Sequence, residues 1–211
     1  MEIIPGILEK DWIEIERKIE LVRPFASTVH IDIIDGKFAP NTTFLDPEPF
    51  KKYTNPSTGS GLFFELHMMV ENPISYLKPW ASVGFSRFLG HVEHMPDQIE
   101  FIAQGQLLGE VGLALELKTS ISEIKVPFED LDNILFLAVN AGFSGQKFNS
   151  SVLSKIKEVA EKTFVPIVVD GGINDSNIAE AKNAGATACV ATGFIFNGNP
   201  QAQFDKLTLA L

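Results

Sequence analysis

Apolar residues along this chain fall into two alternating patterns. Short β-branched or apolar runs, which suit buried strands, are followed by segments whose apolar residues recur at helical spacing. The first run covers 3–8, and 11–22 follows with Trp12, Ile15, Ile19 and Val22 on one helical face. Asp11 and Glu14 have the spacing of a capping box, and Pro24 closes the helix. Further runs predict strands over 28–34, 62–70, 86–92, 111–117, 134–139, 165–170 and 188–192. Helices are expected over 47–53, 96–103, 122–131, 151–162 and 200–209. Two more are marked by their ends: one with Asn72 as cap and Pro73 as first helical residue, and one capped by Asp175 and stopped by Gly185. Asn55 to Gly61 reads as a flexible loop.

These elements make eight β-then-α units that use the whole of residues 1–211, with no spare domain. Strict alternation implies a parallel sheet with helical crossovers. Eight units imply closure, so the expected fold is a single α/β domain, a (β/α)8 TIM barrel. An open doubly wound sheet is the alternative, but no G-x-G-x-x-G follows the first strand.

The net charge of −10 argues against nucleic acid or an anionic membrane as partner. It leaves a phosphorylated small molecule open, because backbone N–H groups bind phosphate within an acidic protein. Cys189 is the single cysteine, so no intrachain disulfide forms and a reducing compartment is expected. Met1 to Gly6 lacks the basic start and apolar run of a signal peptide, and no apolar stretch reaches the ~18 residues of a membrane span. A cytoplasmic protein, assembled as a homo-oligomer, is the expectation. The 17 Phe against 2 Trp and 2 Tyr predict a Phe-rich core.

In such barrels chemistry collects where strands end. His30 and Asp32 lie two apart on the second strand and point the same way. His67 falls near the end of the third strand, His91 and Glu93 at the end of the fourth, and Asp170 at the end of the seventh. A lone His-x-Asp is as readily a hydrogen-bonded strand end as a ligand pair. Two His and two Asp converging on one mouth have the ligand types for one divalent metal ion, Zn, Fe, Mn or Co. His94 reads as an exposed loop residue. Gly171-Gly172 and Gly193-Phe194 follow the seventh and eighth strands, where this fold commonly cradles phosphate. Gly142-Phe143-Ser144-Gly145, after the sixth, would close over it. Taken singly, each glycine pair is equally a tight turn.

The combination His30-Ile31-Asp32, Asp35-Gly36, Pro40-Asn41, Glu65-Leu66-His67-Met68-Met69, His91-Val92-Glu93, Asn140-Ala141-Gly142-Phe143 and Val169-Asp170-Gly171-Gly172-Ile173 resembles, in order, the ribulose-phosphate 3-epimerase family. The resemblance implies a metal held by His30, Asp32, His67 and Asp170, with Asp32 and Asp170 as the acid/base pair. It implies epimerisation of D-ribulose 5-phosphate to D-xylulose 5-phosphate through an enediolate, with Met69 as an apolar cap. Gly6 and His67 fall at substrate-contacting positions. Departures occur at Gly6, where the family usually has serine, and at Ala141, Ser144 and Thr192. They spare the four ligands and fall on substrate-facing positions. Two further hypotheses follow: an epimerase of another ketose phosphate, or a non-catalytic paralogue that binds metal and sugar phosphate. An aldolase or decarboxylase ranks below these, since no Asp-x-Lys-x-x-Asp run is present.

Overall fold

The computed structural model describes residues 1–54 and 61–211, and in them eight parallel strands close into a barrel, each paired with its successor. They are β1 (Glu2–Ile7), β2 (Thr28–Ile34), β3 (Phe63–Met69), β4 (Arg87–His91), β5 (Glu110–Leu115), β6 (Asn133–Leu137), β7 (Ile167–Asp170) and β8 (Ala188–Ala191). β8 closes on β1 from Glu2↔Ala188 to Pro5↔Ala191. The barrel read from the alternation is the observed fold.

A closed barrel buries both strand faces, so alternate residues point into the barrel or out against helices. Ile4, Leu89, Leu135, Val168 and Val190 belong to a compact inner cluster. Val29, Ile31 and Ile33 of β2 belong to the larger outer one, with Ile15 and Ile19 from the first helix. All seven residues of β2 are therefore buried, including His30 and Asp32 on its other face. The outer layer is rich in phenylalanine, as expected. Phe50 and Phe85 meet nearly edge-on at 5.2 Å, and Trp80 meets Phe85 at 4.8 Å and 90°.

The helices are α1 (Trp12–Val22), α2 (Lys51–Thr54), α3 (Ile74–Ser82), α4 (Gln98–Gln106), α5 (Val152–Ala160), α6 (Ile178–Ala184), α7 (Gly193–Phe196) and α8 (Pro200–Leu209). Among the described residues none is long and apolar enough to cross a membrane. Asp11 caps α1 by accepting from the Glu14 N–H at 3.0 Å, but the Glu14 carboxylate turns to Arg17, so only half of the capping box forms.

Three expectations need correction, and one helix is new. The helix over 122–131 is replaced by two 3-10 turns, Ile121–Glu123 and Phe128–Asp130, so the β5–β6 crossover carries no α-helix. Pro127 supplies no N–H and disfavours helical geometry at Val126. Asp175 does not cap α6; Asn177 holds that position, and its side chain instead accepts from the Asn174 N–H at 2.9 Å and donates to the Gly172 carbonyl at 3.0 Å. α3 starts at Ile74, and Asn72 contributes only its carbonyl, to the Ser75 hydroxyl at 2.8 Å. α7 was not expected at all. Gly185 does end α6 in the left-handed region, at φ 114°. Of the loop expected over Asn55 to Gly61, residues 55–60 lie outside the described residues.

Candidate active site

The register of the barrel brings the four candidate ligands to one point. Asp32 on β2 pairs with His67 on β3, and Asp170 ends β7 across the mouth. Ligand atoms of His30, Asp32, His67 and Asp170 all lie within 4.8 Å of one another, and all four residues are buried. His67 Nδ1 is 2.8 Å from Asp32 Oδ1 and 3.7 Å from Asp170 Oδ2, and His30 Nε2 is 4.0 Å from that same Asp170 oxygen.

Groups behind the quartet fix which histidine nitrogens face it. His30 Nδ1 lies 2.6 Å from Glu65 Oε1, and a carboxylate only accepts, so that nitrogen carries a proton. The other carboxylate oxygen takes the Arg87 guanidinium at 2.6 Å, and Arg87 reaches Glu110 at 2.7 Å. His30 Nε2 is left facing the quartet, buried and without a hydrogen-bond partner. On the other side, His67 Nε2 and His91 Nε2 are 2.9 Å apart, and His91 Nδ1 is 3.0 Å from Glu93 Oε2. Burial pushes the His91 imidazole down to about 4, so it is neutral near pH 7. With Glu93 accepting at Nδ1, its Nε2 accepts from His67. The His67 Nδ1 lone pair then faces the Asp32 carboxylate, and a proton or a metal cation must lie between them.

The charge balance also asks for a cation. Burial would raise Asp32, but the positive charge of His30, 3.3 Å away, and the His67 imidazole at 2.8 Å outweigh it and hold Asp32 well below the usual carboxylate range. Burial, reinforced by the Asp32 charge, pushes Asp170 up to about 6. Burial disfavours a charged His30, yet Asp32 and Glu65 hold its pKa well above the ordinary value. An unpartnered buried imidazole nitrogen, a second lone pair and two carboxylates therefore fit a divalent cation by donor type and by charge.

Asp32 and Asp170 also open onto a cavity of about 430 Å³. Its remaining wall includes Leu8, Met69 and Leu137, the 140–146 loop, Gly171 to Asn174, and Thr192 to Phe194. The structure thus brings Gly142, Phe143, Ser144, Gly145, Gly171, Gly172, Gly193, Phe194 and Met69 to one cavity. Asn41 ties the β2 loop to this wall by donating to the Gly142 carbonyl at 2.7 Å. The backbone N–H groups of Gly145, Gly171 and Gly172 find no acceptor among the described residues. His30 and His67 sit behind the cavity wall rather than on it, and Gly6 is screened by Thr192. His94 is exposed, against Phe38.

Glu65 and Arg87 have no role in the sequence-based expectations, His91 and Glu93 stand there as strand-end residues only, and Thr192 as a departure at a substrate-facing position. A signal for Glu65 was present: a carboxylate two residues before His67, hence on the same face of an otherwise apolar strand. The pairing of His67 with His91 had no such signal, because it depends on the stagger between β3 and β4.

Fold and site together define an α/β-barrel protein with a two-histidine, two-aspartate centre beside a glycine-lined cavity. The model of the ribulose-phosphate 3-epimerase family matches residues 2–196, and the chain belongs to that family. It is 33% identical over 208 residues to the ribulose-phosphate 3-epimerase of Bacillus subtilis, covering 93% of this chain and 92% of the relative. The corresponding protein of Aquifex aeolicus is 31% identical, over 97% of this chain and 94% of its own. Among solved structures, 3-hexulose-6-phosphate synthase from Salmonella typhimurium superposes with a TM-score of 0.73 at 11% identity, covering 100% of this chain and 98% of that one. That likeness is one of fold.

Proposed function

We propose that this protein interconverts D-ribulose 5-phosphate and D-xylulose 5-phosphate by proton transfer between Asp32 and Asp170. One observation carries the reading: two carboxylates from β2 and β7, on separate arcs of the barrel mouth, face the same cavity. Epimerising a carbon beside a carbonyl requires a proton to leave one face and another to arrive at the opposite face. Two carboxylates flanking a planar enediolate satisfy that requirement, and a single base does not.

Their environments already differ. Asp32 is held ionised by His30 and His67, whereas burial and the Asp32 charge favour a proton on Asp170. One carboxylate is thus poised to accept and the other to donate, and the roles exchange in the reverse reaction. A divalent ion, Zn, Fe, Mn or Co, held by His30, Asp32, His67 and Asp170 would supply positive charge to the enediolate oxygens when bound. Met69, Leu8 and Leu137 present apolar surface that keeps water from the intermediate. The free N–H groups of Gly145, Gly171 and Gly172 suit the phosphate, with Gly193 and Phe194 beside them.

Incubation with D-ribulose 5-phosphate in deuterated water tests the reading. The expected result is xylulose 5-phosphate carrying one deuterium at C3. Absence of label with retained binding would favour the non-catalytic paralogue. Turnover of a hexulose 6-phosphate with none of the pentulose would move the activity to another ketose phosphate.

A further inference from the structure

The end of β8 carries a hydroxyl that the fold does not use. Thr192 lines the cavity between Asp170 and Gly193, half-buried. It occupies the position before α7, yet its side chain makes no capping hydrogen bond. No hydrogen-bond partner for its hydroxyl is found among the described residues. Its backbone sits at φ −97° and ψ −74°, a region open to any residue, so glycine is not required there.

The hydroxyl also occupies a defined place. A Cβ on Gly6 would collide with Thr192 Oγ1 and would lie 2.7 Å from Val190 Cγ1. Gly6 thus leaves the space into which the Thr192 side chain turns. Gly6 pairs with His30 in the β1–β2 register, so the hydroxyl turns toward the neighbour of the strand that carries His30 and Asp32. The free N–H groups of Gly145, Gly171 and Gly172 lie on loops beyond the strand ends.

We infer that Thr192 is a specificity-determining residue whose hydroxyl hydrogen-bonds an oxygen on the carbon chain of the substrate. The phosphate, assigned to the N–H groups of Gly145, Gly171 and Gly172, is the alternative partner that separate titrations with sugar phosphate and inorganic phosphate distinguish. This rests on the sugar-phosphate reading of the cavity and adds to it the group that recognises the sugar.

Calorimetric titration of the metal-loaded protein with D-ribulose 5-phosphate, and separately with inorganic phosphate, tests it on three variants. Thr192→Val keeps the shape and removes the hydroxyl, Thr192→Ala does so with less bulk, and Thr192→Ser keeps the hydroxyl. Loss of one hydrogen bond between uncharged groups is expected to raise the Kd for ribulose 5-phosphate about five- to tenfold in the valine and alanine variants. The serine variant should stay within about twofold, and the Kd for phosphate should not move. An unchanged Kd for the sugar phosphate in both hydroxyl-free variants overturns the inference and leaves the proposed function standing. Equal losses for sugar phosphate and phosphate overturn it as well, by placing the contact on the phosphate. A wild-type protein that binds phosphate but no ribulose 5-phosphate overturns the proposed function and this inference together.

Discussion

His67 Nε2 and His91 Nε2 face each other at 2.9 Å, deep in the barrel and out of reach of water. Two imidazole nitrogens can share only one proton, so each ring dictates the tautomer of the other. Glu93 breaks the tie. Its Oε2 accepts from His91 Nδ1 at 3.0 Å, and its Oε1 is engaged by the Glu116 N–H at 2.7 Å. His91 must therefore accept from His67, and His67 Nδ1 is left as a lone pair toward the quartet. Glu65 performs the same function for His30 from the other side.

Replacing Glu93 by glutamine should then weaken metal binding without unfolding the barrel. An amide oxygen can satisfy either His91 or the Glu116 N–H, while its NH₂ opposes the other. Outer carboxylates behind metal-bound histidines are typically worth about 10- to 100-fold in affinity. Competition with a fluorescent chelator should show a loss in that range, with His67→Ala losing more. Wild-type affinity in Glu93→Gln would mean that the His91 tautomer is not set by Glu93.

Asp170→Asn should abolish turnover while preserving the fold. The carboxyl is buried and pushed up to about 6, so an uncharged isostere relieves repulsion from Asp32 instead of creating a new cost. In chelator-treated protein the variant should melt at or above the wild-type temperature. Deuterium incorporation at C3 should fall by about 10³-fold or more, within the usual worth of a positioned acid or base. Retained incorporation would exclude a two-carboxylate mechanism.

Much of this site can be read from the chain because strands impose a simple rule. His30 and Asp32, two apart, must share a face, and glycines after β6, β7 and β8 must fall on one rim once the barrel closes. The helix expected over 122–131 misled because its apolar residues suggested helical spacing while Pro127 carried the deciding information. The Asp175 cap misled because Asn177, two residues on, competes for the same turn. Gly6 and Thr192 show a different limit. Read along the chain they are two unrelated departures, 186 positions apart. Only the pairing of β1 with β8 turns them into one steric exchange.

The cavity rim should discriminate sharply between two of its glycines. Gly145 and Gly172 both sit at positive φ, 80° and 70°, where any side chain is strained. A Cβ on Gly145 would meet nothing within 4 Å, whereas one on Gly172 would run into the backbone of Phe148, with its Cα at 2.7 Å. Strain alone, about 1 kcal/mol, should lower the Tm of Gly145→Ala by roughly 2–4 °C. Backbone overlap adds about 2 kcal/mol more in Gly172→Ala, so its Tm should fall by roughly 6–10 °C. Equal melting of the two variants would mean that the β7 loop does not pack on residues 147–148.

Glu93 should also leave a signature in acid. Burial opposes its charge, but the hydrogen bond and charge of His91 outweigh burial and bring its pKa down to about 2 from an ordinary value of 4.5. A carboxylate whose folded pKa is depressed binds fewer protons folded than unfolded across that interval. Its stabilisation is therefore complete above about pH 4.5 and is lost as the pH falls toward 2. His91, depressed to about 4 from 6.5, acts in the same direction at higher pH, its share being lost between 6.5 and 4. Urea unfolding of chelator-treated protein, wild type against Glu93→Gln, separates the two. The stability difference should hold steady from pH 7 to about 5 and shrink below 4.5. A difference that persists undiminished at pH 3 would show that Glu93 is not held ionised by His91, and the tautomer assigned to His67 would lose its anchor.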